Sequence, residues 1–219
     1  ARLIGAAPGQ TVCCDSISVN LFKVLSATLL MQPKRHVVLS QRDNFPTDLY
    51  MAQGLQQLLG AQQCQLQMVD AEAIESSLDE SVAVLMLTHV NFRSGCIHDM
   101  RRLTRLAHDK GILVVWDLAH SAGVLPVELD QCKVDFAVGC TYKYLNGGPG
   151  APAFIYAASR HLPDIQQPLS GWMGHQSPFE FSTDYVAADG MEKFLCGTPP
   201  VVSMSVLDAA MDIFDDVSL

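Results

Sequence analysis

The chain alternates short apolar runs with amphipathic stretches, and this alternation limits the folds that it can adopt. Three of the runs, at 82–90, 112–116 and 134–140, are predicted to be buried strands. The stretch 98–110 has the apolar spacing of a helix, which Gly111 would end. Strand–helix–strand units of this size favour a mostly parallel sheet with helices on both faces. The predicted fold class is therefore α/β.

The same rules place the remaining elements. Asp15 and Asp48 each precede an amphipathic stretch and are predicted to cap a helix there, the second helix ending at Gly60. Short strands are predicted at 36–40 and 65–69, a short helix at 71–78, and a strand that runs back at 152–157. Beyond Leu162 the pattern weakens, and the remaining glycine-rich segments are predicted to be ordered loops.

Composition argues against several classes of protein. The net charge is -9 and the basic residues form no stripe, which argues against nucleic acid as a partner. The sequence contains no run of 18 apolar residues, so no membrane span is predicted. The 7 cysteines are odd in number and form no CxxC pair, and the histidines lack metal-ligand spacing. This pattern favours a protein of the reducing cytoplasm without disulfides or a metal site.

Lys143 stands at the end of the predicted strand 134–140, immediately before the glycine-rich turn 146–150. An ammonium is costly to bury, so a lysine in this position needs a chemical reason. The strongest reason is a Schiff base with the aldehyde of a cofactor. The alternative is a solvated loop lysine.

Other polar and aromatic residues follow neighbouring strands. Thr88 ends one strand, Asp117 and His120 follow the next, and Phe45 and Asp48 follow 36–40. Because ligands of open parallel sheets bind beyond the carboxyl ends of the strands, we expect these side chains to meet Lys143 at one edge. Each residue alone also has an ordinary structural explanation, as a helix cap, a core histidine or a packed aromatic ring.

Pyridoxal 5′-phosphate needs the parts that converge here. Lys143 can hold the aldehyde, Asp117 can keep the pyridine nitrogen protonated, and Phe45 can stack on the ring. The helix start at 15–18 offers backbone N–H groups to the phosphate. The sequence therefore predicts a pyridoxal phosphate site.

Several motifs resemble one family of fold type I pyridoxal phosphate enzymes, the kynureninases. They are Phe45-Pro46-Thr47-Asp48, Asp117-Leu118-Ala119-His120, Tyr142-Lys143-Tyr144-Leu145-Asn146, Gly171-Trp172-Met173-Gly174-His175 and Thr198-Pro199-Pro200. The resemblance covers nearly the whole chain. It implies hydrolysis of L-kynurenine or 3-hydroxykynurenine to anthranilate or its hydroxylated form and L-alanine, within tryptophan catabolism and NAD biosynthesis.

The resemblance also implies roles for individual residues. Lys143 is the Schiff-base lysine and proton shuttle, Asp117 pairs with the pyridinium, and Tyr142 is both a phosphate contact and a general acid. The other implied cofactor contacts are Ile17, Ser18, Phe45, Asp48, Thr88, His120, Trp172 and Thr198. A homodimer is implied, in which Trp172 and Thr198 act across the subunit interface.

The chain is interpreted as a piece of a longer protein. Residues 1–200 are predicted to form the cofactor-binding large domain, and 201–219 to begin a helix that leads toward a small domain. The arginine that grips the substrate carboxylate in the family has no counterpart in matching context here. Two alternatives remain: a cysteine desulfurase-like or aminotransferase-like enzyme, for which Cys196 is the only loop cysteine, and a non-catalytic cofactor- or partner-binding fragment.

Overall fold

The computed structural model describes residues 1–217 and 219. Its centre is a 7-stranded sheet with the strand order β1-β7-β6-β5-β4-β2-β3. The strands are β1 (Thr11–Cys13), β2 (Val37–Gln41), β3 (Gln65–Val69), β4 (Val82–Thr88), β5 (Leu113–Asp117), β6 (Phe136–Cys140) and β7 (Ala153–Ala157). The strands β3, β2, β4, β5 and β6 pair in parallel, whereas β7 pairs antiparallel with both β6 and β1. The predicted α/β class and the returning strand are confirmed.

Four α-helices accompany the strands: α1 (Ile17–Met31), α2 (Pro46–Leu59), α3 (Met100–Asp109) and α4 (Val201–Met211). Successive side chains of a strand point to opposite faces, so β4 contributes Leu85 to one apolar cluster and Met86 to the other. Leu103 of α3 packs in the first cluster, and Leu25 of α1 and Leu55 of α2 pack in the second. The helices therefore cover both faces of the sheet, as predicted.

Some local predictions were wrong. The strand β1 was not predicted, because three residues are too few to show a period. Ser16, not Asp15, caps α1: its extended backbone lets its hydroxyl accept the N–H of Val19. Asp48 does not cap α2, which begins at Pro46, so the carboxyl falls inside the first turn. The segment 71–78 forms two 3₁₀ turns, Ala71–Ala73 and Glu75–Ser77, in place of one helix.

The helix α4 begins at Val201, next to the predicted domain boundary, and that boundary stays a prediction. Val201, Val202 and Val206 expose most of their side chains. Within residues 1–217 and 219, no helix has the length and apolarity needed to cross a membrane.

Candidate functional site

A cleft of about 340 Å³ lies at the carboxyl edge of the sheet. The start of α1, the turn that leads into α2 and the ends of β5 and β6 line it. The lining residues are Ser16, Ile17, Ser18, Phe45, Thr47, Asp48, Asp117, Ala119, Cys140, Tyr142, Lys143, Ala151 and Ala153. Because all these segments lie at the same edge of the sheet, the fold brings together residues far apart in the sequence.

Lys143 is half-buried in this cleft, and its Nζ lies 3.0 Å from Nε2 of His120. The loop that carries Lys143 is fixed at both ends. The Thr141 hydroxyl donates to the Pro152 carbonyl at 2.5 Å, and the Gly147 N–H donates to the Thr141 carbonyl at 2.9 Å. Burial and the nearby Lys143 ammonium lower the pKa of His120, which keeps the imidazole neutral at pH 7.

Two carboxyl groups face each other in the floor of the cleft. Asp117 is 1% exposed and Asp48 is fully buried. Burial raises the pKa of Asp117 to about 6, and burial together with Asp117 raises the pKa of Asp48 well above its usual range. Oδ1 of Asp48 has no hydrogen-bond partner among the described residues. A buried pair of this kind suits a ligand that brings a positive charge.

The hydrogen bonds around Asp48 come from one predicted and one unpredicted residue. The Thr88 hydroxyl donates to Oδ2 of Asp48 at 3.4 Å, and Nδ2 of Asn44 donates to the same oxygen at 3.0 Å. Oδ1 of Asn44 also accepts the Thr88 N–H at 2.7 Å, which joins the ends of β2 and β4. Asn44 was missed, and the only signal in the sequence was a polar residue just before the Phe45-Pro46 turn.

Phe45 faces the cleft with its aromatic neighbours arranged edge to face. Its ring centroid lies 6.4 Å from that of His120 and 5.2 Å from that of Phe92, at 87° to the latter. Nζ of Lys143 lies 5.7 Å from the Phe45 ring centroid. Phe92 was also missed by sequence reasoning, because it lies on the loop after β4 outside any periodic pattern. The flat ring of Phe45 is thus held next to the amine.

The remaining predicted residues divide into two groups. Ile17, Ser18 and Tyr142 line the cleft, and partial burial, with a contribution from Cys140, raises the pKa of Tyr142. Trp172 and Thr198 do not line the cleft of this chain. The Trp172 ring stacks on Phe181 and its indole N–H donates to the Pro178 carbonyl, while Thr198 is exposed. Their predicted phosphate contacts therefore stay a prediction.

The chemistry of the cleft fits pyridoxal phosphate. The amine of Lys143 can bond to an aldehyde. The buried carboxyl pair, with its unpartnered oxygen, can accept a hydrogen bond from a protonated ring nitrogen, and the face of Phe45 can cover a flat ring. The first N–H groups of α1 can bind a phosphate, because a helix N-terminus attracts anions.

Known proteins resemble this chain in sequence and in fold. All of residues 1–219 match the family described as aminotransferase class-V. A kynureninase of Burkholderia pseudomallei (strain 1106a) is 50% identical over 98% of the chain, which covers 52% of that relative. The chain therefore spans about half the length of the curated relatives that it matches.

Solved structures with low sequence identity share the architecture. A cysteine desulfurase from Thermococcus onnurineus superimposes with a TM-score of 0.80 at 23% identity, over 98% of this chain and 54% of that one. A C-DES variant with glycine covalently linked to its PLP cofactor superimposes with a TM-score of 0.79 at 17% identity, over 97% of this chain and 57% of that one. These likenesses confirm the predicted large-domain fold. With the match over its whole length, the chain belongs to the class-V aminotransferase family.

Proposed function

We propose that the chain is the cofactor-binding part of a pyridoxal phosphate enzyme that hydrolyses the Cβ–Cγ bond of L-kynurenine or 3-hydroxykynurenine. The observation that carries this proposal is the cleft in which Lys143, Phe45 and the Asp48–Asp117 pair lie together. The 50% identity to a kynureninase supports the choice of substrate. The products are L-alanine and anthranilate or its hydroxylated form.

The residues of the cleft have distinct parts in holding the cofactor. When bound, pyridoxal phosphate supplies an aldehyde and a ring that accepts electrons from the substrate. Lys143 would hold the aldehyde carbon, Asp117 and Asp48 would face the ring nitrogen, and Phe45 would cover the ring. The N–H groups of Ile17 and Ser18 and the Ser18 hydroxyl at the start of α1 would bind the phosphate.

Lys143 and the side chains next to it would transfer and hold protons. Lys143, freed by the substrate amine, would accept the proton of the substrate α-carbon on Nζ. Neutral His120, 3.0 Å away, accepts a hydrogen bond from the Lys143 ammonium and holds it in place. Water adds to the substrate γ-carbonyl and the Cβ–Cγ bond breaks. Tyr142 lies beside Lys143, whose Nζ is 5.7 Å from its ring centroid, and would give its proton to Cβ.

The raised pKa of Asp117 also has a function in this proposal. The pKa of Asp117 is about 6 in the cofactor-free protein, and a protonated ring nitrogen beside this carboxyl would lower that pKa and keep the carboxylate ionised. The ring nitrogen would supply the missing partner of the buried pair. The ionised carboxylate would in turn favour the protonated ring, which withdraws electrons from the substrate.

We propose that Trp172 and Thr198 act as contacts between subunits. Both lie outside the cleft of their own chain, and Trp172 is 43% exposed. In a homodimer they reach the phosphate of the second subunit. We place the enzyme in the cytoplasm, in tryptophan catabolism that leads to NAD biosynthesis.

The desulfurase-like alternative is less well supported. Such enzymes need a reactive cysteine near the cofactor, and the loop cysteine Cys196 does not line the cleft. Its Sγ instead lies 3.1 Å from the Leu169 carbonyl. Phe45, rather than a histidine, also faces the position of the ring.

A spectroscopic test addresses the cofactor and a turnover assay addresses the substrate. The protein expressed from the complete reading frame that contains this chain should show a band near ~420 nm that borohydride abolishes. Lys143→Ala should lose the band, and exposed Lys34→Ala should keep it. The same protein should release anthranilate or its hydroxylated form from the two substrates.

Two results would contradict the proposal. A protein that stays colourless after incubation with pyridoxal phosphate would exclude the cofactor. A yellow protein that releases sulfur from cysteine but no anthranilate would support the desulfurase-like alternative. A yellow protein inactive on every substrate would support a non-catalytic cofactor-binding protein.

A further inference from the structure

Lys23 is an ammonium-bearing residue with no exposed surface. It lies in the second turn of α1, on the side of the helix that packs inside the protein, and it does not line the cleft. Burying an ammonium costs several kcal/mol unless it is paired. The proposed mechanism does not use Lys23, so its burial needs a separate explanation.

Two groups satisfy the Lys23 ammonium. Nζ lies 2.5 Å from Oδ2 of Asp15, and it donates a second hydrogen bond to the Phe194 carbonyl. Burial by itself lowers the pKa of Lys23, but the hydrogen bond to Asp15 and the nearby Cys14 more than reverse this, so the residue stays charged. The ammonium therefore joins two segments that are 179 residues apart in sequence, Asp15 and Phe194.

Asp15 lies in the turn between β1 and α1, and the first residues of α1 line the cleft. Its φ of 47° is in the left-handed region, which non-glycine residues rarely adopt without support. Its carbonyl accepts the Ala153 N–H at 2.9 Å, and Ser16, the N-cap of α1, follows directly. The Lys23 contact thus supports the turn that aims the N–H groups of Ile17 and Ser18 at the cleft.

Phe194 begins the segment that carries the second set of expected phosphate contacts. Two residues later, the Cys196 carbonyl accepts the Met173 N–H at 3.1 Å. Gly171 packs so closely on Cys196 that an added Cβ would lie 2.3 Å from its carbonyl oxygen. Moving the Phe194 carbonyl would therefore displace the backbone on both sides of Trp172 and upstream of Thr198.

We infer that Lys23 is a positioning residue for the cofactor phosphate: its buried ammonium holds the start of α1 and the 194–198 segment in fixed relation. This inference rests on the proposed function. It assigns Lys23 no contact with the cofactor. Its effect is confined to the phosphate end of the ligand, because neither Asp15 nor Phe194 borders Lys143 or the carboxyl pair.

The test compares pyridoxal phosphate with pyridoxal, which has the same ring and aldehyde but no phosphate. The apo form of the protein from the complete reading frame is titrated with each compound, and the visible band reports binding. Lys23→Met should weaken binding of pyridoxal phosphate by about 10-fold or more, the size of effect that lost supporting contacts produce. Binding of pyridoxal should stay within about twofold of the unmodified protein, since its contacts are unchanged.

Lys193→Met is the matched control. Lys193 is also a buried lysine and precedes Phe194, but its Nζ donates to the Leu162 carbonyl at 2.5 Å. This control should leave the ratio of the two affinities unchanged. Should Lys23→Met not fold, the double variant Asp15→Asn with Lys23→Met carries the same test, because it also removes the carboxylate that would lose its cationic partner.

The outcomes separate this inference from the proposed function. An unmodified protein that binds neither compound would sink the proposed function. If the unmodified protein binds both pyridoxal phosphate and pyridoxal, the proposed function stands. The role of Lys23 alone would then be overturned if Lys23→Met lost affinity equally for both compounds, or lost affinity for neither.

Discussion

Buried carboxyl groups lie near opposite edges of the sheet, and their surroundings shift their pKa values in opposite directions. Asp135, just before β6, accepts hydrogen bonds from His108, His161, Arg160 and the Val114 N–H, all within 2.8 Å. Although burial opposes it, these donors hold the pKa of Asp135 well below its usual range. At the carboxyl edge, burial instead raises the pKa of Asp117 and its partner Asp48.

The comparison distinguishes a carboxylate whose charge the protein itself stabilises from a carboxyl pair that, in the proposed function, is completed by a ligand. All four hydrogen-bond contacts of Asp135 come from the protein itself, so its charge is stabilised permanently. The Asp48–Asp117 pair has an unpartnered oxygen among the described residues and holds a proton in place of a cation. Such unsatisfied groups are expected where a ligand completes the site.

The largest effect is expected at the structural carboxyl. Asp135→Asn should lower the free energy of unfolding by about 3–5 kcal/mol, because it removes the buried carboxylate that accepts four hydrogen bonds. Chemical denaturation measures this loss. Glu75→Gln, which breaks the exposed ion pair with Arg102, should cost less than about 1 kcal/mol. Equal losses of unfolding free energy in Asp135→Asn and Glu75→Gln would show that Asp135 stabilises the fold no more than an exposed ion pair does.

The same substitution in the cleft should act on turnover. Asp117→Asn should lower kcat about 10²–10³-fold, the range for losing one group that stabilises developing charge. The empty protein should be no less stable, because the variant removes a poorly compensated buried carboxyl. Kinetics and denaturation of the same samples measure both effects. A stability loss as large as that of Asp135→Asn would place Asp117 among the structural charges.

The pH dependence of stability should show the raised pKa directly. Unfolded Asp117 loses its proton near pH ~4, whereas the folded residue keeps it to about pH 6. Folding therefore takes up a proton in this window, and the empty protein loses stability as the pH rises through it. The unfolding free energy of the unmodified protein minus that of Asp117→Asn should fall from pH 4 to pH 6. A difference that is constant or rises would refute the raised pKa.

The smallest effect is expected from a single donor to the carboxyl pair. Thr88→Val removes the hydroxyl 3.4 Å from Asp48 and should weaken cofactor binding by about 1 kcal/mol. Titration of the visible band measures it. Thr104→Val is the control, since its hydroxyl accepts the Trp116 indole N–H away from the cleft, and it should change stability alone. Unchanged affinity in Thr88→Val would remove Thr88 from the site.

Much of this cleft could be anticipated from the sequence. Lys143, Asp117 and Thr88 each end or follow an apolar run, and parallel strands bring their carboxyl ends to one edge. Phe45 and Asp48 follow β2 for the same reason. The roles assigned to these residues remain predictions, while their proximity follows from strand direction alone.

Other features depend on contacts that no local pattern encodes. Asn44 matters through Thr88, which lies 44 residues further along the chain. Lys23 sits in an apolar helix where a lysine is ordinarily a surface residue, and only Asp15 and Phe194 explain its burial. Trp172 and Thr198 lie on irregular segments, so a motif could name them without showing which cleft they serve.

The antiparallel pairing of β7 with β6 has a consequence for how the amine of Lys143 would move in the proposed reaction. The chain leaves β6 and re-enters the sheet at the same edge, and the bonds between Thr141 and Pro152 and between Gly147 and Thr141 close the intervening loop at its base. If Lys143 exchanges partners as proposed, this closed loop would keep its backbone in place, and the four-carbon side chain alone would move. The reach of the amine would then be limited by the length of the lysine side chain.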